Sequence, residues 1–384
     1  MKMKDFLKKF CLTVDETLLQ PYFEKGLAEH QKRGAAIFDF EQYGAFSDMK
    51  QDIAALRDQL ATDPDNALFC YVLAAALRDD AEQIYQALSA PKKEDENELY
   101  DILPLFALLD LIPDMLCDHR RRGLPEQISR DTVQMFENQV GDFVALHHRY
   151  GISNYVWWMQ WFLRSRIIRI NRFNIEIATF RAPYEFFEKE GELLALANGV
   201  RYHRSGRVLG SVGCEDEEGA FEGVLRETDD AFIGLPVVNA LAKKTPVTLP
   251  KAEWRKVLTS GDTVISVHIP AGGPLTPEIC ERDLALAREV VAKHFGPFKA
   301  FYCGSWLLDP QLREIMGKDT NVTLFGDRFY RYPTKNDGKA VFSYLFHAPN
   351  TPVQELPEPS SMAKAVKAHL LAGGHIYSLG GVFL

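Results

Sequence analysis

The sequence predicts an α+β protein, with a helical N-terminal domain followed by a mixed β-sheet flanked by helices. Apolar side chains recur at helical spacing in the first 165 residues, whereas strand-like alternation begins at Phe173. The 384 residues exceed what one compact core usually holds, which favours two domains. We predict a helical domain over residues 1–150 and a sheet-containing domain over 151–384, with a linker at about 349–361 before a C-terminal helix.

Acidic residues outnumber basic ones in this chain. The 53 Asp and Glu residues exceed the 44 Lys and Arg residues, which gives a net charge of −9. An acidic surface repels phosphates, so we expect neither nucleic acid nor a membrane as a partner. The basic opening lacks the apolar run of a signal peptide, and we therefore expect a cytoplasmic location. The sequence leaves the oligomeric state open.

The cysteines lie far apart and form no CxxC pair. They occupy positions Cys11, Cys70, Cys117, Cys214, Cys280 and Cys303. This spacing is typical neither of a disulfide framework nor of a zinc site. We therefore expect a reducing environment and no bound metal.

Caps and prolines mark the helices of the N-terminal half. Apolar residues at helical spacing predict a helix over residues 65–88. Pro104 and Pro113 are expected to break or kink the next helix. A further helix is predicted from near Pro125 to near Gly151, a typical helix stop.

Strands are predicted to begin at Phe173. Apolar residues alternate from Phe173 to Thr179, which is typical of a strand with one buried face. Glu176 lies on the opposite face, and we expect it to face solvent. The pair Ser205-Gly206 predicts a turn between two short strands in the segment 199–213.

The last third predicts a strand–helix–strand unit. TVISVHIP (263–270) is the first strand and KAFYCG (299–304) is the second. Between them, Thr276 and Pro277 provide the cap and the first position of a helix that runs to about Phe295. A short connection of this kind implies parallel neighbouring strands.

More elements are predicted after this unit. Asp309 is predicted to cap a short helix whose first position is Pro310, as Thr276 and Pro277 do for the preceding helix. The segments NVTLFGDRFYRY (321–332) and KAVFSYLF (339–346) are interpreted as two strands. The glycine-rich end, GGHIYSLGGVFL (373–384), favours a terminal strand.

Four blocks of the sequence resemble a bacterial protein family. They are DDAFIGLPV (229–237), TSGDTVISVHIPAGGPLTPEIC (259–280), FYCGSWLLDPQLREIM (301–316) and NVTLFGDRF (321–329). These blocks are similar to those of acyltransferase-domain proteins, in which a helical N-acyltransferase N-terminal domain precedes a GNAT-like C-terminal domain. The resemblance implies a GNAT-like mixed sheet in which a strand splays away from the central strand and acyl-CoA lies in the splay.

The segment after the central strand departs from the GNAT pattern. GNAT enzymes carry Q/R-x-x-G-x-G/A there, and its backbone N–H groups hold the CoA pyrophosphate. Gly272 and Gly273 permit close backbone approach, but the Arg or Gln is missing, and Pro270 and Pro274 each remove a donor. The resemblance implies the following candidates for cofactor binding: Val267, Ile269, Gly272, Gly273 and Trp306.

Acyl transfer to an amine needs a general base, an acid for the leaving thiolate and a donor that polarises the carbonyl. His268 is the candidate base, because it lies in the C-terminal half of the central strand and imidazole titrates near neutral pH. The alternative for His268 is a structural histidine that bonds a neighbouring carbonyl. Tyr302 is a candidate acid on the next strand.

Cys303 and Ser305 alternate along the second strand and should point to one side. Cys303 is either a nucleophile activated by His268 or a small buried apolar residue. Ser305 either donates to an acyl oxygen or bonds the backbone at the strand end. Trp306 either lines a ligand slot or belongs to the core.

These residues lead to three hypotheses. The first is a GNAT-like N-acyltransferase that uses acyl-CoA as co-substrate and a small-molecule amine as acceptor. The second is a non-catalytic protein that binds a small molecule or a peptide on the same fold, and the third is a thiol hydrolase or transferase based on Cys303. An open gap between the strands at 264–269 and 299–304 favours the first hypothesis, whereas a closed ladder argues against it.

Overall fold

The computed structural model describes residues 1–91 and 97–384, apart from the side chains at 97, 98 and 154. The chain packs as two units, Met1–Arg169 and Ile170–Leu384. None of the helices in the described ranges has the length and apolar character of a membrane span.

The first unit is helical, as predicted. Its α-helices are α1 (Met3–Lys9), α2 (Glu16–Arg33), α3 (Lys50–Ala61), α4 (Pro64–Arg78), α5 (Glu82–Leu88), α6 (Asn97–Tyr100), α7 (Leu103–Leu109), α8 (Ile112–Arg122), α9 (Glu126–His147) and α10 (Val156–Leu163). Pro104 and Pro113 lie in the first turns of α7 and α8, where a missing N–H costs nothing. The predicted domain limit after residue 150 precedes the observed division, because α10 packs on α5, α7 and α8.

Helix α4 forms the centre of this unit. It begins at a cap in which the carboxylate of Asp63 accepts a hydrogen bond from the N–H of Asp65, with Pro64 at the first helical position. From Asn66 to Leu77 every residue is buried, so the helix is apolar on all sides and is covered by its neighbours. Helix α2 crosses it closely at Gly26, where an added Cβ would lie 2.7 Å from the backbone nitrogen of Val72.

The second unit contains the predicted sheet. Its strands are β1 (Ile167–Ile170, which begins in the first unit), β2 (Phe173–Thr179), β3 (Tyr184–Lys189), β4 (Glu192–Ala197), β5 (Val200–Tyr202), β6 (Phe221–Gly223), β7 (Arg226–Glu227), β8 (Ala231–Gly234), β9 (Pro236–Val238), β10 (Leu241–Ala242), β11 (Val247–Pro250), β12 (Arg255–Leu258), β13 (Thr263–His268), β14 (Phe301–Ser305), β15 (Tyr330–Pro333) and β16 (Leu379–Phe383). Its helices are α11 (Pro277–His294), α12 (Leu312–Met316), α13 (Asn321–Gly326), α14 (Ala340–Tyr344) and α15 (Ser361–Leu371).

A six-stranded sheet in the order β1-β2-β13-β14-β16-β15 carries the site described below. Strands β13 and β14 are parallel and are joined by α11, whereas β2 pairs with β13, and β16 with β14 and β15, in antiparallel fashion. The sheet is therefore mixed, as predicted. One of its faces shares an apolar cluster with the five-stranded sheet β10-β9-β4-β3-β12, in which Val264, Tyr332 and Val382 pack with Tyr184 and Phe186.

Two predicted strands are wrong. The segment 321–332 begins as helix α13, because the hydroxyl of Thr320 accepts a hydrogen bond from the N–H of Thr323 and caps the first turn, and only its end forms β15. The segment 339–346 contains helix α14 instead of a strand. Short apolar runs do not distinguish a buried strand from a buried helical turn. The predicted terminal strand is confirmed as β16, between β14 and β15.

Candidate active site

The central strand β13 and its parallel neighbour β14 separate at their C-terminal ends. Their ladder consists of the pairs Ile265↔Phe301 and Ser266↔Tyr302. Past these pairs, β13 follows β2 as far as His268↔Asn174, while β14 follows β16 as far as Ser305↔Leu379. The two strands therefore diverge, and the gap that was expected between them lies beside His268.

Side chains near this gap project from two faces of the sheet. Because side chains alternate along a strand, Ser266 and His268 share one face with Tyr302. Val267 and Cys303 lie on the other face. The N–H of Ile265 donates to the carbonyl of Ala300 at 3.0 Å, so the N–H of Val267, two residues later, also points to the β14 side of the strand.

His268 is paired with a carboxylate on the adjacent strand. Its Nε2 atom lies 2.8 Å from Oε2 of Glu176, which is only 5% exposed. The expectation that Glu176 faces solvent is wrong, because the five-stranded sheet covers that face as well. A buried carboxylate that accepts the Nε2 proton leaves Nδ1 as the basic nitrogen, and the imidazole remains partly exposed.

Tyr302 lies on the same face as His268 and Glu176. Burial raises the pKa of its phenol, and the nearby Glu176 carboxylate acts in the same direction, so the hydroxyl keeps its proton at neutral pH. A Cβ atom on Gly304 would lie 2.8 Å from the Tyr302 hydroxyl oxygen. The glycine therefore leaves room for this phenol.

Cys303 projects from the opposite face and is 1% exposed. Burial raises the pKa of its thiol to about 12, so thiolate is scarce at neutral pH. The side chains of Cys303 and His268 lie on opposite faces and do not meet. The nucleophilic pair that the sequence leaves open is therefore not formed. Cys303 is a buried apolar residue in this fold.

Ser305 and Trp306 have structural partners. The hydroxyl of Ser305 accepts a hydrogen bond from the N–H of Leu307 at 3.1 Å and caps a short 3-10 turn. The indole of Trp306 is 7% exposed and packs in an apolar cluster with Leu312 and Phe346. The observed contacts therefore match the structural alternatives, which are a backbone hydrogen bond for Ser305 and a place in the core for Trp306.

The segment between β13 and α11 is exposed at its two glycines. Gly272 and Gly273 have φ values of +86° and +51°, in the region that favours glycine. Ile269 directly follows β13, and Thr276 caps α11 by accepting a hydrogen bond from the N–H of Ile279. Arg172, from the turn before β2, donates to the carbonyl oxygens of Pro270 and Gly273 at 2.7 and 3.2 Å.

Metal ligands are not grouped at this site. Among the described residues, no three His, Cys, Asp or Glu side chains lie together in a way that could hold a metal ion.

Two family models match the chain. The N-acyltransferase N-terminal domain matches residues 40–165, and the GNAT-like C-terminal domain matches residues 238–383. The chain therefore joins an N-acyltransferase N-terminal domain to a GNAT-like C-terminal domain. The GNAT-like domain contains the diverging strands β13 and β14, with α11 between them.

Solved acyltransferase structures share this fold. One in complex with decanoyl-CoA superposes with a TM-score of 0.64 at 18% identity, covering 100% of this chain and 99% of that chain. One in complex with decanoyl-CoA and teicoplanin gives 0.57 at 18% identity, covering 85% and 83%. One with CoA and 10C-teicoplanin gives 0.56 at 18% identity, covering 84% and 78%. None of the curated proteins matches the sequence.

The sequence places His268 and Tyr302 on neighbouring strands of this GNAT-like domain. It did not reveal Glu176 as the partner of His268. The signal was a single acid between the apolar residues Ile175 and Ile177 of β2. Recognising it required the antiparallel register of β2 on β13, which depends on contacts between distant parts of the chain.

Proposed function

We propose that this protein is an N-acyltransferase that moves an acyl group from acyl-CoA to an amine of a small molecule. The observation that carries the proposal is the divergence of β13 and β14 beside the His268–Glu176 pair. A gap between two strands offers unpaired backbone edges and a slot for an extended pantetheine chain. The solved acyltransferases of this fold, which hold acyl-CoA, support the choice of donor.

Each step of the reaction has a candidate group on this chain. Nδ1 of His268 accepts a proton from the attacking ammonium, and Glu176 holds the imidazole in the required tautomer. The amine nitrogen then bonds to the carbonyl carbon of the thioester, and the carbon–sulfur bond breaks. The departing thiolate takes the proton of Tyr302, whose partly buried phenol is protonated at neutral pH. The second proton that the nitrogen loses as the amide forms returns through water to the Tyr302 oxygen.

Two further elements would position the donor. The N–H of Val267, on the β14 side of its strand, is a candidate to polarise the thioester carbonyl. The exposed segment with Gly272 and Gly273 would receive the pyrophosphate, because glycines let a backbone approach phosphate oxygens closely.

The direct test is calorimetric titration of the folded protein with acetyl-CoA, octanoyl-CoA and decanoyl-CoA, followed by mass spectrometry of mixtures with small amines. We expect saturable binding of at least one acyl-CoA and an amide product with the mass of the transferred acyl group. Absence of binding to all three thioesters by a protein with native circular dichroism would refute the proposal.

A non-catalytic binding protein is the second candidate. Pro270 and Pro274 favour it, since each removes an N–H donor from the segment that would hold a phosphate. In that case His268→Ala would leave the affinity for the ligand largely intact, and no amide product would form with the unaltered protein.

A further inference from the structure

Arg172 joins the two ends of residues 270–273, the glycine segment between β13 and α11. Its Nη1 atom donates to the carbonyl oxygen of Pro270 at 2.7 Å, and its Nε atom donates to that of Gly273 at 3.2 Å. A planar guanidinium fixes two acceptors in a set geometry, which a lysine ammonium does not. The intervening residues Ala271 and Gly272 are exposed.

This contact sets the direction of a backbone donor. In a trans peptide the carbonyl oxygen and the next N–H point in opposite directions. Because the carbonyl of Pro270 is turned towards Arg172, the N–H of Ala271 is turned away from it. The carbonyl of Gly273 sets no second donor in this way, because the next residue, Pro274, has no N–H. The contact therefore directs one donor, the N–H of Ala271, away from the guanidinium.

Arg172 is itself held in place by its surroundings. Its backbone N–H donates to Oδ2 of Asp283 at 3.2 Å, and Asn171 donates to Oδ1 of the same carboxylate at 2.9 Å. Asp283 is fully buried on α11, so the turn that carries Arg172 is tied to the helix that follows the glycine segment. Burial lowers the pKa of Arg172, yet a guanidinium keeps its charge at any physiological pH.

We propose that Arg172 is a positioning residue for the diphosphate of the acyl donor. It shapes the segment 270–273 so that the N–H of Ala271 faces the ligand, and it adds a positive charge behind this donor. This inference rests on the proposed function. It also explains how the segment could bind an anion although it contains no arginine or glutamine of its own.

The test compares two donors that share the thioester and the pantetheine arm, of which one lacks the diphosphate together with the 3′-phosphoadenosine. Octanoyl-CoA carries the diphosphate, whereas octanoyl-pantetheine keeps the thioester and the pantetheine arm but has no phosphate. We expect Arg172→Ala to raise the Kd for octanoyl-CoA about ten-fold or more, as for the loss of charge-assisted hydrogen bonds. The Kd for octanoyl-pantetheine and its kcat should change less than two-fold by the same reasoning.

Two further variants keep the test decisive. Arg282→Ala is the matched control, because Arg282 is an exposed neighbour that bonds Asp283 at 2.8 Å and not the glycine segment, and it should leave both Kd values unchanged. Arg172→Lys keeps the charge but cannot make both hydrogen bonds of the planar guanidinium. We expect its affinity for octanoyl-CoA to lie between those of Arg172→Ala and the unaltered protein.

The outcomes separate this inference from the proposed function. If the unaltered protein binds neither donor, the proposed function fails and the inference fails with it. If it binds both donors but Arg172→Ala weakens them equally, or weakens neither, only the inference is overturned. Unfolding of both Arg172 variants would assign the residue a purely structural role and would also overturn it.

Discussion

Glu176 and His268 meet diagonally across two antiparallel strands. In the register of β2 on β13, Glu176 lies opposite Ser266 and His268 lies opposite Asn174, yet Oε2 of the carboxylate is 2.8 Å from Nε2 of the imidazole. Diagonal neighbours on one face of a sheet are within reach of such side chains. The pair is thus fixed by strand register and not by a flexible loop.

The first prediction concerns this pair. We expect His268→Ala to lower kcat at least about 100-fold, as for the loss of a general base, while the affinity for acyl-CoA is kept. Glu176→Gln should lower kcat about ten-fold, because glutamine retains the shape but loses the charge that stabilises the imidazolium. Steady-state kinetics with a thiol-detecting reagent would measure both.

A double variant distinguishes positioning from general damage. If Glu176 acts through His268, Glu176→Gln should have no further effect on kcat in the His268→Ala background. Additive losses in the double variant would contradict this role. His294→Ala, a change near the end of α11, is the control and should leave kcat unchanged.

The second prediction concerns Tyr302 as the acid for the leaving thiolate. We expect Tyr302→Phe to lower kcat about 100-fold with acyl-CoA, whose alkyl thiolate is a basic leaving group. With an aryl thioester, whose thiolate leaves without a proton, the loss should nearly vanish. Equal losses with both donors would show that the hydroxyl does not protonate the leaving group.

Tyr330→Phe is the matched control for this experiment. Tyr330 is also a partly buried tyrosine of the same sheet, and burial raises the pKa of its phenol to about 12. Its hydroxyl donates to the carbonyl of Val237. We expect its removal to reduce stability and to leave the ratio of the two kcat values unchanged.

The third prediction concerns Cys303. A thiol with a pKa of about 12 holds almost no thiolate at pH 7, so iodoacetamide should modify it far more slowly than the exposed Cys11 and Cys117. Peptide mapping by mass spectrometry would give the three rates. Faster labelling of Cys303, or loss of turnover in Cys303→Ala, would revive the thiol mechanism.

The fourth prediction concerns the crossing of α2 and α4. Alanine favours a helix over glycine by up to about 1 kcal/mol, but a Cβ at position 26 would lie 2.7 Å from the backbone nitrogen of Val72. Overpacking of this kind costs about 1 to 3 kcal/mol, so Gly26→Ala should lower the free energy of unfolding. Urea denaturation would measure the change.

Gly141→Ala on α9 is the comparison for that experiment. An added Cβ there meets the flexible end of Met49 at 3.2 Å, which can move aside. We therefore expect this variant to be neutral or slightly stabilised. Equal destabilisation of the two variants would contradict the steric explanation.

Local signals in the sequence predicted the elements that depend on nearby residues. Thr276 and Pro277 gave the start of α11, and alternation gave β2 and β13, because caps and periodicity act within a few residues. Segment 339–346 was misassigned because its apolar run fits either a strand or a helical turn. Glu176 was misplaced because its burial depends on a second sheet that its own strand does not specify.

The position of β16 has a consequence for the order of folding during synthesis. Strand β16 lies between β14 and β15, and its glycines make room for neighbours, since a Cβ on Gly380 would collide with the ring of Tyr332. Until residues 379–383 have left the ribosome, β14 has no partner on that edge. The helical unit can therefore fold early, whereas the sheet that carries His268 and Tyr302 is completed only after residues 379–383 have emerged.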